Sequence, residues 1–214
     1  YSQLMNIPGI RVVAPSTPYD AKGTLIAAVR DPNPTLYVEQ RLLHFTQGEV
    51  PEALYESPIG KARITRAGTD VTIVGVSYMA LEAYRAAQYL ADVGISAEVI
   101  DPIWLSPLDR TTLLTSLRKT GRLLAIDNGW TTCGASAEIL AMMAESDWPG
   151  QAPKLARMGF APSACPPSPV LEDLYYPNAR TIAAKARFMV TGKAPDWLPE
   201  AREDLRECEF RGPF

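Results

Sequence analysis

Short runs rich in Val and Ile recur along this chain, each separated from the next by a longer stretch of helical period. Val71 to Val76 and Leu123 to Ile126 are close to continuously apolar, which suits strands covered on both faces. Between such runs Ala80, Ala83, Ala87 and Leu90 share one helical face, and Leu113, Leu114 and Leu117 share another. Parallel strands need long crossovers, and helices of this kind supply them. The pattern predicts an α/β protein with a mostly parallel sheet. At 214 residues, 47% apolar and 21% charged, the chain is able to bury a core of that type.

The first unit reads as a strand over Arg11 to Ala14, a turn over Pro15 to Pro18, a helix from Tyr19 to about Val29 and a strand over Leu36 to Glu39. Ser16 or Thr17 is placed to cap that helix, and Pro18 suits its first turn. A concentration of breakers follows, with Gly48, Pro51, Pro58, Gly60 and Gly68, and marks a linker. The second unit predicts strands over Val71 to Val76, Ala97 to Ile100, Leu123 to Ile126 and Leu155 to Met158. Its helices run over Met79 to Val93, Asp109 to Lys119 and Ala135 to Ala144, and a last one after the cap Asn178 carries Ile182, Ala186, Met189 and Val190. Ala161 to Pro169 holds four prolines and reads as loop. The organisation is thus residues 1–50, a linker over 51–68, a second unit over 69–194 and a tail over 195–214. The tail mixes charge with Trp197, Leu205 and Phe210, and reads as an arm laid on a neighbour.

A net charge of -3 gives no electrostatic reason for nucleic-acid binding, and no apolar run approaches the length of a membrane span. The three cysteines are far apart and match no disulfide framework, so a reducing compartment is expected: the cytoplasm, or the mitochondrial matrix in a eukaryote. No Walker loop, GxGxxG, GxSxG or HExxH occurs. His44 is the sole histidine, so paired-histidine metal sites are excluded and the residue reads as an ordinary surface or interface histidine. Cys133, beside Gly134 at a helix start, is either a reactive thiol or a small packing residue. Asp127 to Trp130 falls at a strand end, the edge at which open sheets bind ligands. Ala27 to Pro34 is more informative, because two prolines bracket a helix exit whose last carbonyls lack helical donors. Water, Arg30 or a weakly hydrated cation are the partners left open to them.

Six segments then match a known pattern in order: Ile7 to Gly23, Ala27 to Glu39, Asp70 to Ser77, Ile95 to Asp109, Thr120 to Trp130 and Gly134 to Ile139. Together they resemble the beta subunit of thiamine-diphosphate-dependent 2-oxo acid dehydrogenases of the pyruvate and branched-chain type. The resemblance implies that residues 1–50 end a pyrimidine-binding, transketolase-like domain and that 69–194 form a transketolase C-terminal-like domain. It implies oxidative decarboxylation of a 2-oxo acid, with acyl transfer to a lipoyl arm. The chain opens at Tyr1 in what reads as the middle of a fold, and is expected to be a fragment, a processed product or half of a split protein. The family's cofactor-activating glutamate belongs upstream of Tyr1, and the GDG motif for the diphosphate and its magnesium does not occur. Thiamine diphosphate and magnesium are therefore expected to be held mainly by an alpha-type subunit or a missing segment.

The family's monovalent-cation site, usually potassium, falls on Ala28, Val29, Asp31 and Asn33. Tyr1, Ser2 and Gln3 stand where the family often has His-Ser-Gln, which makes Tyr1 the candidate in the place of the catalytic histidine. A second beta-type copy and a lipoyl acyltransferase are the further partners implied, with Trp104, Trp130 and the tail aromatics as contact candidates or, equally, core packing. Pro166, Pro167, Ser168, Leu171 and Glu172 resemble the proline-rich loop before the family's last helix. Two rivals stay open: a split transketolase-like enzyme, and a non-catalytic interaction scaffold of the same fold.

Overall fold

A computed structural model of the chain describes residues 1–193 and 197–203. A short helix α1 (Ser2–Met5) leads into β1 (Arg11–Val13), α2 (Pro18–Arg30) and β2 (Thr35–Tyr37). β1 and β2 pair in parallel, so α2 is the crossover that the first unit required. Thr17 caps α2 by accepting the Asp20 N–H at 3.1 Å, and Pro18 occupies the first turn where its missing N–H costs nothing. The chain then runs back over α2. Lys22 Nζ donates to the carbonyls of Pro51, Glu52 and Ala53, and lies 5.2 Å from the centre of the Tyr55 ring. Gly23 permits this approach, since a Cβ there would meet the Ser57 backbone nitrogen at 2.9 Å.

The second unit comprises β3 (Arg63–Arg66), β4 (Val71–Gly75), α3 (Tyr78–Ala91), β5 (Ala97–Asp101), β6 (Trp104–Ser106), α4 (Arg110–Thr120), β7 (Arg122–Trp130), α5 (Ala135–Ala144), β8 (Lys154–Phe160), α6 (Pro169–Tyr175) and α7 (Ala179–Thr191). Its sheet has the order β3-β5-β4-β7-β8, parallel except for β3 at the edge. α3 and α7 cover one face through Ala83, Ala87, Leu90, Ile182 and Ala186. α4 and α5 cover the other through Leu113, Leu117, Ile139 and Met143. At roughly 25 cal/mol per Å² of apolar surface, such burial is the main stabilising term of both layers. β6 leaves this unit and pairs antiparallel with β1, giving a second sheet of order β2-β1-β6. The two sheets are therefore stitched together by one turn of chain, 101–104.

The structure extends the sequence reading at four places. The stretch expected to be linker, 51–68, contains β3, whose arginines at an exposed edge hide it from an apolar-run search. β6 has three residues, too few to show a period. The proline-rich stretch ends by starting a helix, since Pro169 falls in the first turn of α6. The described part of the tail folds back on its own chain: Arg180 donates to the Pro199 carbonyl at 2.7 Å, and Arg202 pairs with Asp92 at 2.8 Å. Arg187 stacks over Trp197 at 4.9 Å. Residues 197–203 thus lie against their own chain, while Leu205 and Phe210 lie outside the described residues.

Candidate functional site at the junction of the two sheets

Ligands of open α/β sheets sit beyond the carboxyl ends of the strands. At that end of β1 and β2 the β1–α2 loop and the segment after β2 enclose a pocket of about 200 Å³. Ser16, Thr17, Pro18, Glu39, Gln40 and His44 are among its lining residues. The first turn of α2 contributes Thr17, Pro18 and Ala21 to the same wall. His44, read as an ordinary histidine, thus lies on the rim of a pocket.

Behind this loop is a charged network that joins the two units. Asp20 in the first turn of α2 is fully buried, and Arg63 of β3 grips it through two nitrogens at 2.6 and 2.9 Å. Ser57 and Thr17 donate to the same carboxylate at 3.4 and 2.8 Å. The bidentate hold fixes Arg63 as a cation, raising its pKa chiefly through the Asp20 hydrogen bonds. Next to it Asp101, at the end of β5, accepts the Ile103 N–H at 2.8 Å and the Ser16 hydroxyl. Burial pushes the Asp101 carboxyl up to about 7.

The winding of the larger sheet reverses between β4 and β7, because β4 connects towards β5 and β7 towards β8. Asp127 stands at this switch point, fully buried, and accepts the Tyr1 hydroxyl and the Ser136 N–H of α5, the latter at 3.3 Å. Burial first, and the Asp127 charge second, hold the Tyr1 phenol proton far above its ordinary range. The phenol is therefore a neutral donor at any physiological pH. Ser77 and Ser136 flank the same crevice with buried hydroxyls that find no partner among the described residues.

At the α2 exit the Asp31 N–H closes on the Ala27 carbonyl at 3.0 Å, which leaves the carbonyls of the last turn without helical donors. Asp31 accepts the Asn33 backbone N–H at 2.7 Å and pairs with Arg11 at 3.3 Å. Hydrogen bonds from Asn33 hold its pKa below the usual carboxylate range. Arg30, considered above as a partner for these carbonyls, turns instead to Glu56. Ala28, Val29, Asp31 and Asn33 thus sit together at one helix end, far in sequence from Tyr1.

Cys133 is exposed at φ 56°, one residue before the α5 cap. Trp104 is wholly buried and belongs to the core, whereas Trp130 is 55% exposed and donates to the Tyr175 hydroxyl at 3.2 Å. Beside it Phe160, Tyr175 and Tyr176 form an aromatic cluster, with Cys165 Sγ 3.2 Å from the Tyr176 hydroxyl. That contact is the first cause pushing the Tyr176 phenol up to about 12. α6 presents Val170, Leu171 and Leu174 to solvent. No sequence spacing linked Asp20 to Arg63 or Ser16 to Asp101, which meet only through the fold. Among the described residues no group of His, Cys, Asp and Glu side chains is placed to hold a metal ion, and no helix is long and apolar enough to cross a membrane.

The transketolase C-terminal domain family matches residues 60–182. The chain is 45% identical over 193 residues to acetoin:2,6-dichlorophenolindophenol oxidoreductase subunit beta of Cupriavidus necator, covering 87% of this chain and 55% of that one. It is 39% identical to the mitochondrial pyruvate dehydrogenase E1 component subunit beta-1 of Arabidopsis thaliana, covering 85% of this chain and 51% of that one. The chain spans about half the length of these relatives. A solved split-gene transketolase, described as an inactive beta4 tetramer, superposes with a TM-score of 0.72 at 24% identity, over 89% of this chain and 60% of that one.

Proposed function

Since the chain belongs to the transketolase C-terminal domain family, we propose that it is the beta-type portion of a thiamine-diphosphate-dependent dehydrogenase assembled from several chains. One observation carries this reading. The similarity to beta subunits extends over 87% of the chain, beyond the domain at 60–182 and into the β1–α2–β2 unit that the domain family alone does not include. The names of the relatives indicate an α-hydroxy ketone or a 2-oxo acid as substrate class, acetoin or pyruvate among them. Both carry a carbonyl group, and thiamine diphosphate, when bound in the assembled enzyme, would supply the electron sink for chemistry at it.

The described residues do not by themselves fit the whole cofactor, since no metal-ligating side-chain cluster is present among them and the sequence has no GDG. No chemical step is therefore assigned to this chain. Its own part is to position and to enclose. The pocket at the ends of β1 and β2 would wall the site, and Tyr1, in the place of the family's histidine, would serve as a neutral hydrogen-bond donor held by Asp127. Potassium at Ala28, Val29, Asp31 and Asn33 belongs to the same proposal, supported by the donor-free carbonyls of the α2 exit. Magnesium would come with the diphosphate on an alpha-type chain. The exposed apolar side chains of α6 and Trp130 favour a second beta-type copy or a lipoyl acyltransferase as further partners.

Native mass spectrometry of the protein isolated from its source tests the reading. The expected result is co-isolation with an alpha-type chain and stoichiometric thiamine diphosphate. Isolation without either, under conditions that preserve known complexes, would contradict it.

A further inference from the structure

Between the two units runs a groove of about 410 Å³, walled by the start of α2, by the chain at 56–58 and by residues 61–64, which lead into β3. It shares no lining residue with the pocket at the ends of β1 and β2. Clefts between packed units are frequent ligand sites, in which a few converging polar groups fix what binds.

The converging group here is Arg63. Its Nε and Nη2 hold the buried Asp20 carboxylate at 2.9 and 2.6 Å, and its guanidinium carbon lies 4.9 Å from the centre of the Tyr19 ring. A guanidinium carries five N–H groups in a rigid fork. Asp20 takes the side edge, so the end edge, Nη1 with the second hydrogen of Nη2, is left to an oxyanion, and the side chain is 42% exposed. Lys61, two residues earlier on the same wall, is 63% exposed. Its partner Asp109 is 3.9 Å away and already accepts the Ala62 N–H and both the N–H and the hydroxyl of Thr112. Glu56, the other carboxylate on the groove wall, is paired with Arg30. The capacity left over is therefore that of hydrogen-bond donors on two cations.

We propose that this groove binds a phosphate group, free or as the monoester of a small organic molecule. A carboxylate would match the Arg63 fork alone, whereas a phosphate dianion matches the fork and the Lys61 charge together. Pro58, Ile64 and Ile103 give the groove an apolar side for an organic portion. Because its walls come from both units, an occupant also fastens one unit to the other. The proposal is independent of the thiamine-diphosphate reading.

Calorimetric titration of the full chain at fixed ionic strength, with inorganic phosphate, phenyl phosphate and benzoate as probes, tests the site. Saturable binding of phosphate and none of benzoate is expected. Lys61→Gln removes an exposed charge and leaves the Asp109 hydrogen bonds in place, and should weaken phosphate binding about tenfold, the loss of one charge-assisted contact. Lys154→Gln, at an exposed position of β8, should leave it unchanged. The Arg63 Nε–H resonance of the wild type should shift with the calorimetric midpoint. Tighter binding of phenyl phosphate than of inorganic phosphate assigns the site to a monoester, and the reverse or equality assigns it to free phosphate; both support the proposal. No saturable phosphate binding, a preference for benzoate, indifference to Lys61→Gln or an unmoved Arg63 resonance overturns it.

Discussion

Glu82 on α3 accepts the backbone N–H of Ala179 at 2.8 Å, so the start of α7 is held by a carboxylate from the helix packed beside it. The same carboxylate receives Arg85 at 2.5 Å and is 1% exposed. Anions at helix N-termini are favourable, and a buried one is committed to its partners. Glu82→Ala is expected to cost about 3–5 kcal/mol by removing the buried carboxylate from both Arg85 and the start of α7. Glu82→Gln, which keeps an acceptor, should cost clearly less. Urea unfolding of the two variants checks both the sign and the order.

Asp101 makes folding stability depend on pH with a definite sign. Its folded pKa is about 7, above the ordinary 3.8, so the unfolded chain loses this proton first as pH rises. Stability is full below the unfolded pKa, falls between the two values and then levels off. The span is worth roughly 4 kcal/mol at the order-of-magnitude level. Asp101→Asn should remove this slope, which denaturant midpoints measured either side of neutrality would reveal.

Gly134 stands where a Cβ would meet the Trp130 carbonyl oxygen at 2.4 Å and Asp127 Oδ2 at 2.6 Å. Gly134→Ala must push α5 away from the end of β7, at an expected cost of about 1–3 kcal/mol. It should also disturb the Tyr1–Asp127 contact, visible as earlier ionisation of one phenol in an ultraviolet titration.

Lys22 gathers the carbonyls of Pro51, Glu52 and Ala53, and so fastens the chain between the two units onto α2. Lys22→Met retains the stem and loses the donors. Limited proteolysis within 47–58 should become several-fold faster, with the second unit still resistant.

The strands of the second unit were legible because both of their faces are buried, which writes an apolar run such as Val71 to Val74 directly into the sequence. The caps at Thr17 and Asn178 were legible because they act within three residues. β3 was not, since its arginines serve an exposed edge and the Asp20 carboxylate rather than a core. The junction was not either. Ser16 and Asp101 are 85 positions apart, and only the turn that carries β6 across to β1 brings them together. The resemblance of six ordered segments identified the fold and the beta-type relationship, but it offered no reason to single out Asp20, Asp101 or Asp127.

On the proposed function, this chain shapes and completes a site whose reactive groups come partly from elsewhere. Reduction of a dye acceptor with acetoin, pyruvate or branched-chain 2-oxo acids, measured for the chain alone and after reconstitution with an alpha-type chain and thiamine diphosphate, tests it most directly. Activity only in the reconstituted mixture is the expected result. Robust turnover by the solitary 214-residue chain would contradict the account.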